Sequence, residues 1–363
     1  MHSIIEYLSR QSKTVLFSIA FISAIVIGFF DYITGQDYYF FIFYAIPIFL
    51  ITWYIGKPQG YMMALFCLVA WFLDDTLNRP AFADPFVPIW NLFVKFGFYI
   101  MLIEALSALK QSLEREQETE LRNFEHELDI AREVQQRLFP QSAPEILTLD
   151  YCGECKPASK IGGDYYDYFP LGNGKLAFAI GDVSGHGISA SLLMASVEAF
   201  VRSNSHLYRE NLKSFVGEMN TFLYQSTEDN KFVTFLYAVY DDKTRKLIYV
   251  NAGHNPPFLL NKNGFEKLDK GGLLLGAVEN ASYDQGEVNL TAGDLLLLYT
   301  DGVTESMNEK EELFGEERLK LVITKNKERN AASIIQGVID ALKKYTGSHP
   351  QDDDITMIAV KGK

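Results

Sequence analysis

The chain has 363 residues, enough for one large or two ordinary domains, and 48% of them are hydrophobic. Its net charge of −13 excludes the broad basic surface that a nucleic-acid binder needs, so no nucleic-acid partner is expected. Three cysteines, Cys67, Cys152 and Cys155, do not make a disulfide framework, and the lone Cys152-x-x-Cys155 pair lacks the second half of a zinc site.

The hydrophobic residues are unevenly spread. Residues 1–105 are strongly apolar and aromatic, with four apolar runs near 14–30, 38–54, 60–73 and 87–106. A helical span needs roughly 20 apolar residues, and about 17 at least. The first, second and fourth runs meet that requirement, and the third needs its flanks. Further apolar runs after the first favour an anchor over a cleaved signal peptide. Arg10, Lys13, Lys57, Lys110 and Arg115 would lie on one side, and Asp37, Asp74, Asp75, Arg79 and Asp84 on the other. The excess of basic residues then places both termini in the cytoplasm. The expectation is a multi-pass protein of a bacterial-type plasma (inner) membrane, in contact with lipid. Lys95, near the middle of the fourth run, is expected either to pair with Asp31, Asp74 or Asp75 or to snorkel.

Residues 104–139 contain no Gly or Pro and are dense in charge. Leu121, Phe124, Leu128, Ala131, Gln135 and Leu138 step by 3, 4, 3, 4 and 3, which is a heptad seam. Leu106, Leu109 and Leu113 form an earlier seam, joined to the later one by two steps of 4 through Gln117. Such an insertion locally unwinds a coiled coil. The pattern suits a parallel homodimer through a linker helix that continues the fourth span; a solvated single helix is the alternative. Pro140 ends it. One seam register is expected to seat Glu133, Val134 and Leu138 against the Gly162-Gly163-Asp164 loop.

After Pro140 the pattern becomes short strands and turns. Strands are expected at 165–169 and 175–180 around Leu-Gly-Asn-Gly, and at 232–240 and 246–250 around a second turn. Others are expected at 257–260, 285–290, 294–299 and 355–360, and Cys152 and Cys155 read as residues of a half-buried strand. Helical patterns occupy 187–204, about 208–227, 314–325 and 331–346. Hairpin clusters separated by helices indicate α+β, with antiparallel sheets flanked by helices.

Gly181-Asp182-Val183-Ser184-Gly185-His186-Gly187 lies between a buried strand and a helix. Acids recur at such strand ends: Gly162-Gly163-Asp164 precedes Tyr165, Asp301-Gly302 follows a buried run, and Asp352-Asp353-Asp354 precedes the last strand. Each acid alone is more often a turn residue. Four such sites, with no histidine or thiolate set at ligand spacing, favour two Mn²⁺ or Mg²⁺ ions over zinc. Two such ions roughly 3.5–4 Å apart can activate water for in-line attack on phosphorus.

These segments, together with Ala131-Arg-Glu-Val-Gln-Gln-Arg-Leu-Phe-Pro140, Asn251-Ala-Gly-His-Asn-Pro-Pro257, Asp301-Gly-Val-Thr-Glu305 and Asp352-Asp-Asp-Ile-Thr356, make residues 131–361 resemble the SpoIIE-type branch of the metal-dependent PPM serine/threonine phosphatases. The resemblance implies an α-β-β-α sandwich of two antiparallel sheets flanked by helices. It divides the chain into a four-helix transmembrane region at 1–106, a coiled-coil linker and switch helix at 107–140, and a phosphatase domain at 141–363.

It implies that Asp182 bridges both metals and that the Val183 carbonyl helps hold one. Asp301 and Asp353 would ligate on one side, and Asp164 on the other, directly or through water. Catalysis would rest on Asp182, Asp301 and Asp353. Asp352 and Asp354 compete for the C-terminal ligand position, but Asp353 stands where the family pattern Asp-(Asp/Asn)-x-Thr begins. His186 lies four residues after Asp182, not two as in many type 2C phosphatases, which argues against a general-acid role. His254 reads as a structural turn residue, and Arg202 as a helix-surface residue rather than a phosphate clamp.

The implied function is dephosphorylation of a regulatory protein of the anti-sigma-factor antagonist type in signal transduction, controlled through the linker. A catalytically inactive signalling scaffold of the same fold is the alternative, and a transporter subunit has less support.

Overall fold

The computed structural model of the chain describes residues 7–34, 40–78, 86–227 and 231–363. It divides into two compact units, Met1–Phe124 and Glu125–Lys363, with the division inside one long helix.

The first unit is helical. It comprises α1 (Lys13–Thr34), a 3-10 turn leading into α2 (Ala45–Tyr54), α3 (Lys57–Asn78) and the first part of α4 (Phe86–Leu138). Small residues Ala20 and Ala24, one turn apart on α1, let this helix approach a core of Tyr44, Ile48, Cys67, Trp71 and Tyr99. Phe29, Met62, Leu65 and Phe93 point outward.

Among the described residues two helices, α1 and the Ile89–Leu138 part of α4, are long and apolar enough to cross a membrane. The expectation of four spans is corrected to these two. α2 has ten residues, about 15 Å of rise against a hydrocarbon core of about 30 Å. α3 has 22 residues, but Lys57, Pro58 and Gln59 occupy its first turn, and Asp74 and Asp75 lie near its end.

Lys95 is buried with its ammonium 3.0 Å from the centre of the Trp71 ring and 5.5 Å from that of Phe41. Both aromatic faces lie within cation–π reach of the charge. Lys57 pairs with Glu104 at 2.7 Å, and Lys110 donates to the Trp53 carbonyl at the C-terminal end of α2. Asp37, Arg79 and Asp84, and the side chains of Asp74 and Asp75, on which the expected topology partly rests, lie outside the described residues.

The second unit is a two-sheet sandwich. One sheet runs β1 (Leu149–Lys156), β11 (Ile355–Gly362), β10 (Leu295–Tyr299), β6 (Phe258–Asn261), β7 (Gly264–Lys267). The other runs β2 (Tyr165–Gly172), β3 (Lys175–Val183), β4 (Val233–Asp241), β5 (Lys246–Ala252), β8 (Gly271–Gly272), with β9 (Gly286–Asn289) also on β5. All pairings are antiparallel except the short β5–β8 contact.

The period-two alternation of strand side chains builds three layers of core. On β3, Leu176, Phe178 and Ile180 face the other sheet, while Ala177 and Ala179 face helices α5 (Ile188–Asn204) and α6 (Leu212–Ser226). On β10, Leu296 and Leu298 face inward, while Leu295, Leu297 and Tyr299 pack under α8 (Gly315–Asn326) and α9 (Ala331–Thr346). Burial on both faces explains why these strands read as unbroken apolar runs. The short helix α7 (Asp301–Glu305) follows β10 directly.

Phe178 is fully buried between the sheets, edge-on to Tyr151 with ring centroids 5.5 Å apart. Phe178→Ala is expected to cost about 3–5 kcal/mol, read as a fall in the denaturation midpoint, with Phe178→Leu milder.

Candidate active site

Strand register brings the strand-end acids to one end of the sandwich. Tyr165 pairs with Gly181 and Asp182 with Thr234, so the start of β2 and the end of β3 are adjacent. In the other sheet the Thr300 amide donates to the Thr356 carbonyl, which places Asp301 beside the start of β11.

The two halves are joined through the carboxylate of Asp354. One of its oxygens accepts from the Ala158 amide at 2.8 Å, and the other from the amides of Gly163 at 2.7 Å and Asp164 at 3.3 Å. Close approach is possible because a Cβ on Gly162 would stand 2.3 Å from that carboxylate, and one on Gly302 2.0 Å from the Asp354 carbonyl. Asp354 is thus spent on backbone amides. Asp352 is exposed and lies 3.5 Å from His349, on the outer side. Asp353 and Asp354 both act on Asp182 through their charge, and Asp353 also feels Asp301.

Asp164 is buried, and its carboxylate accepts from the Thr300 hydroxyl at 2.8 Å. Burial, then the charges of Asp182 and Asp354, push its carboxyl well above the usual range despite that hydroxyl. Asp182 is pushed up to about 7, first by burial, then by Asp301, Asp353, Asp354 and Glu305. Burial chiefly raises Asp301 and Asp353 as well. The Val183 carbonyl faces Gly163, where a Cβ would stand 3.1 Å from it.

In this arrangement no three His, Cys, Asp or Glu side chains among the described residues close on one point. The donor chemistry nonetheless fits hard divalent cations: oxygen ligands only, on adjacent strand ends, with mutual repulsion that a cation would reverse.

His186 is exposed in the Gly185–Gly187 loop. His254 is buried; its Nδ1 lies 2.9 Å from the Thr234 hydroxyl, and Asn251 bonds both its amide and its carbonyl. Burial lowers its pKa to about 4, so its ring is neutral at pH 7. Arg202 is neither a clamp nor a merely solvated residue. It forms a two-point ion pair with the fully buried Asp167, at 2.7 and 2.8 Å, away from the acid cluster.

Sequence reasoning missed a second contact. Gln135 of α4 is buried and grips Gly162 twice: its amide donates to the Gly162 carbonyl at 2.7 Å and its carbonyl accepts from the Gly162 amide at 3.1 Å. Glu133 and Val134, expected to seat on the loop, are exposed; Leu138 packs partly on the core. The signal was present as a polar residue at an apolar heptad position.

The fold and the acid cluster define a PP2C-type serine/threonine phosphatase domain. A profile of the family described as Stage II sporulation protein E (SpoIIE) matches residues 172–363, and the chain belongs to that family. Protein IcfG of Synechocystis sp. is 31% identical over 265 residues, which cover 64% of this chain and 41% of that protein. Phosphoserine phosphatase RsbU of Bacillus subtilis is 30% identical over 241 residues, covering 65% of this chain and 70% of that protein. The SiaA-PP2C domain of Pseudomonas aeruginosa shares the fold with a TM-score of 0.60 at 21% identity, over 66% of this chain and 98% of that domain.

The raised carboxyl of Asp182 gives a signed expectation in excess chelator. A folded-state pKa of about 7 above an unfolded value of 3.8 contributes stability that is complete below about pH 4 and lost as pH rises towards 7. Asp182→Asn removes that loss. Its melting temperature in chelator is expected to match the parent at pH 4 and to exceed it at pH 7–8, by the equivalent of about 1–3 kcal/mol. Equal melting of the two proteins across the range would contradict the repulsive cluster.

Proposed function

We propose that the chain is a membrane-anchored, Mn²⁺- or Mg²⁺-dependent phosphoserine and phosphothreonine protein phosphatase. Its substrate is a phosphorylated regulatory protein of the anti-sigma-factor antagonist type. The observation that carries the reading is the gathering of Asp164, Asp182, Asp301 and Asp353 at one end of the sandwich, where burial and then neighbouring carboxylates raise Asp182. The name of the RsbU relative, phosphoserine phosphatase, supports the reaction class. The apolar helices α1 and Ile89–Leu138 support an anchor.

In this reading Asp182, the Val183 carbonyl, Asp301, Asp353 and Asp164 would hold the ions. Such ions supply activation of water and neutralisation of phosphoryl charge. The chain's own work is positioning. Asp354 fixes the Gly163-Asp164 backbone, Thr300 orients the Asp164 carboxylate, and the β3–β4 pairing holds Asp182 opposite Thr234.

Control through a dimeric α4 is the second part of the reading. Leu109, Leu113, Leu121 and Phe124 are all exposed on this helix, and a second copy would cover them. Further along, Gln135 holds the loop that presents Asp164. A change in the pitch or rotation of α4 that withdraws Gln135 would release Gly162 and misplace Asp164.

The direct assay is phosphate release by the detergent-solubilised full chain from a phosphoserine regulator, with Mn²⁺ and with chelator. Asp182→Asn is expected to lose at least a thousandfold in kcat/KM while staying folded. Near-parental turnover would refute the metal-dependent site. Gln135→Leu orphans the amide and carbonyl of Gly162, each costing about 1–3 kcal/mol if left unpaired. It is expected to lower turnover at least tenfold, whereas Val134→Ala should leave it unchanged. Parental activity in Gln135→Leu would make α4 a passive tether.

A further inference from the structure

A cavity of about 260 Å³ opens beside the acid cluster, bounded by α7, the C-terminal half of α9 and the 349–353 turn. Its floor is apolar, from Met307, Ile339, Leu342 and Ile355, while Lys156, Lys343 and His349 stand around it. Gly302, Glu305 and Asp353 line it on the side of the candidate metal ligands, so the cavity and the reaction centre share a wall.

From these features we infer that the cavity is the substrate-docking pocket: it takes an apolar side chain a few residues from the phosphoserine of the protein substrate, with an acidic neighbour reaching Lys343 or Lys156. The inference rests on the phosphatase reading given above and specifies its substrate class.

Three observations support it. The volume lies just under the roughly 300–1,000 Å³ of small-molecule sites, which suits one large side chain rather than a cofactor. Asp353 belongs to both the cluster and the cavity wall, and an extended chain advances roughly 3.3–3.6 Å per residue, so residues flanking a phosphoserine at the acids pass over the opening. The charges are complementary: acids line the cluster side, where cations would receive the phosphoester, and lysines stand in the wall of an otherwise acidic protein. Lys343 is exposed, and Lys156, part-exposed, is only 3.7 Å from Glu154 at its nearest carboxylate. Met307 is half-buried, and its flexible thioether can shape the floor to branched or linear guests.

The test uses the full chain in detergent micelles with Mn²⁺ and three probes. One is a dodecapeptide with a central phosphoserine flanked on both sides by leucine and aspartate. The second has alanine in place of leucine. The third, para-nitrophenyl phosphate, has no flanking chain and reports on the metal site separately. The parent is expected to favour the leucine peptide over the alanine peptide at least tenfold in kcat/KM. Thr346→Trp, which fills the cavity from its rim, should abolish that preference. Lys343→Glu, at an exposed position on the cavity wall, should lower kcat/KM for both peptides at least fivefold relative to the ester.

Equal treatment of the two peptides by the parent would overturn the inference. So would an intact leucine preference in folded Thr346→Trp. Failure of the parent to hydrolyse any of the three would refute the phosphatase reading alone. Docking is then decided by fluorescence anisotropy of the labelled peptides: tighter binding of the leucine peptide, lost in Thr346→Trp, sustains it, and equal binding overturns it.

Discussion

The hydrogen bonds accepted by the Asp354 carboxylate are the constraint on which the site depends. Asp354 stands at the entrance to β11 in one sheet, and the amides it holds belong to the segment that enters β2 in the other. A carboxylate that accepts several backbone amides is a strong, directional tie. Gly162 and Gly302 are glycines because this tie leaves no room for a Cβ. Without it, the two sheets would still pack through Phe178, Leu298 and Ile358, but the loop carrying Asp164 would lose its backbone tie to the start of β11 and be left with the Gln135 and Thr300 contacts.

That geometry is costly to the protein itself. Asp164, Asp182, Asp301 and Asp353 all have carboxyls raised by burial, with like charges adding to it. An apolar replacement would relieve the repulsion, so stability alone does not account for the cluster. Several neighbouring polar groups, by contrast, are paired: Thr300 serves Asp164, Asn251 ties down the His254 turn, and Arg202 neutralises the buried Asp167. A strained cluster in an otherwise consistent structure is the pattern expected of a functional site.

Much of the second unit was legible in the sequence. Its strands are covered on both faces, so they appear as apolar runs ended by Gly, Asn and Asp, and the helices of both outer layers fell within a few residues of their patterns. The acids were legible because they sit where those runs stop. What was hidden depended on partners distant in sequence. The family pattern favoured Asp353 over Asp354, but that the Asp354 carboxylate is held by the amides of residues 158, 163 and 164 could not be read from neighbouring residues. The strand β7 is exposed and short, without a burial pattern to read. In the first unit, length in apolar residues overstated the helices, because α2 is preceded by a 3-10 turn and α3 begins with a polar one.

Gln135 marks the point where two roles of one helix meet. Up to Phe124 the seam residues Leu109, Leu113, Leu121 and Phe124 of α4 are exposed and apolar. Further along the same face Leu128 is half-buried, Ala131 is exposed and Gln135 is buried, so the apolar repeat is interrupted by a glutamine where the helix meets the chain's own domain. A leucine at that position would pack but could not satisfy the Gly162 backbone; a glutamine satisfies both its amide and its carbonyl. The substitution gives up apolar burial and gains a contact that is intact at only one rotation of the helix. A heptad face made uniformly of leucine would tolerate neighbouring registers, whereas a paired polar contact distinguishes them. The α4–loop contact is polar throughout: Gln135 holds Gly162, and earlier on the helix Lys160 pairs with Asp129 at 2.8 Å and donates to the Glu125 carbonyl, so its specificity resides in hydrogen-bonded and charged partners that a shifted helix would separate.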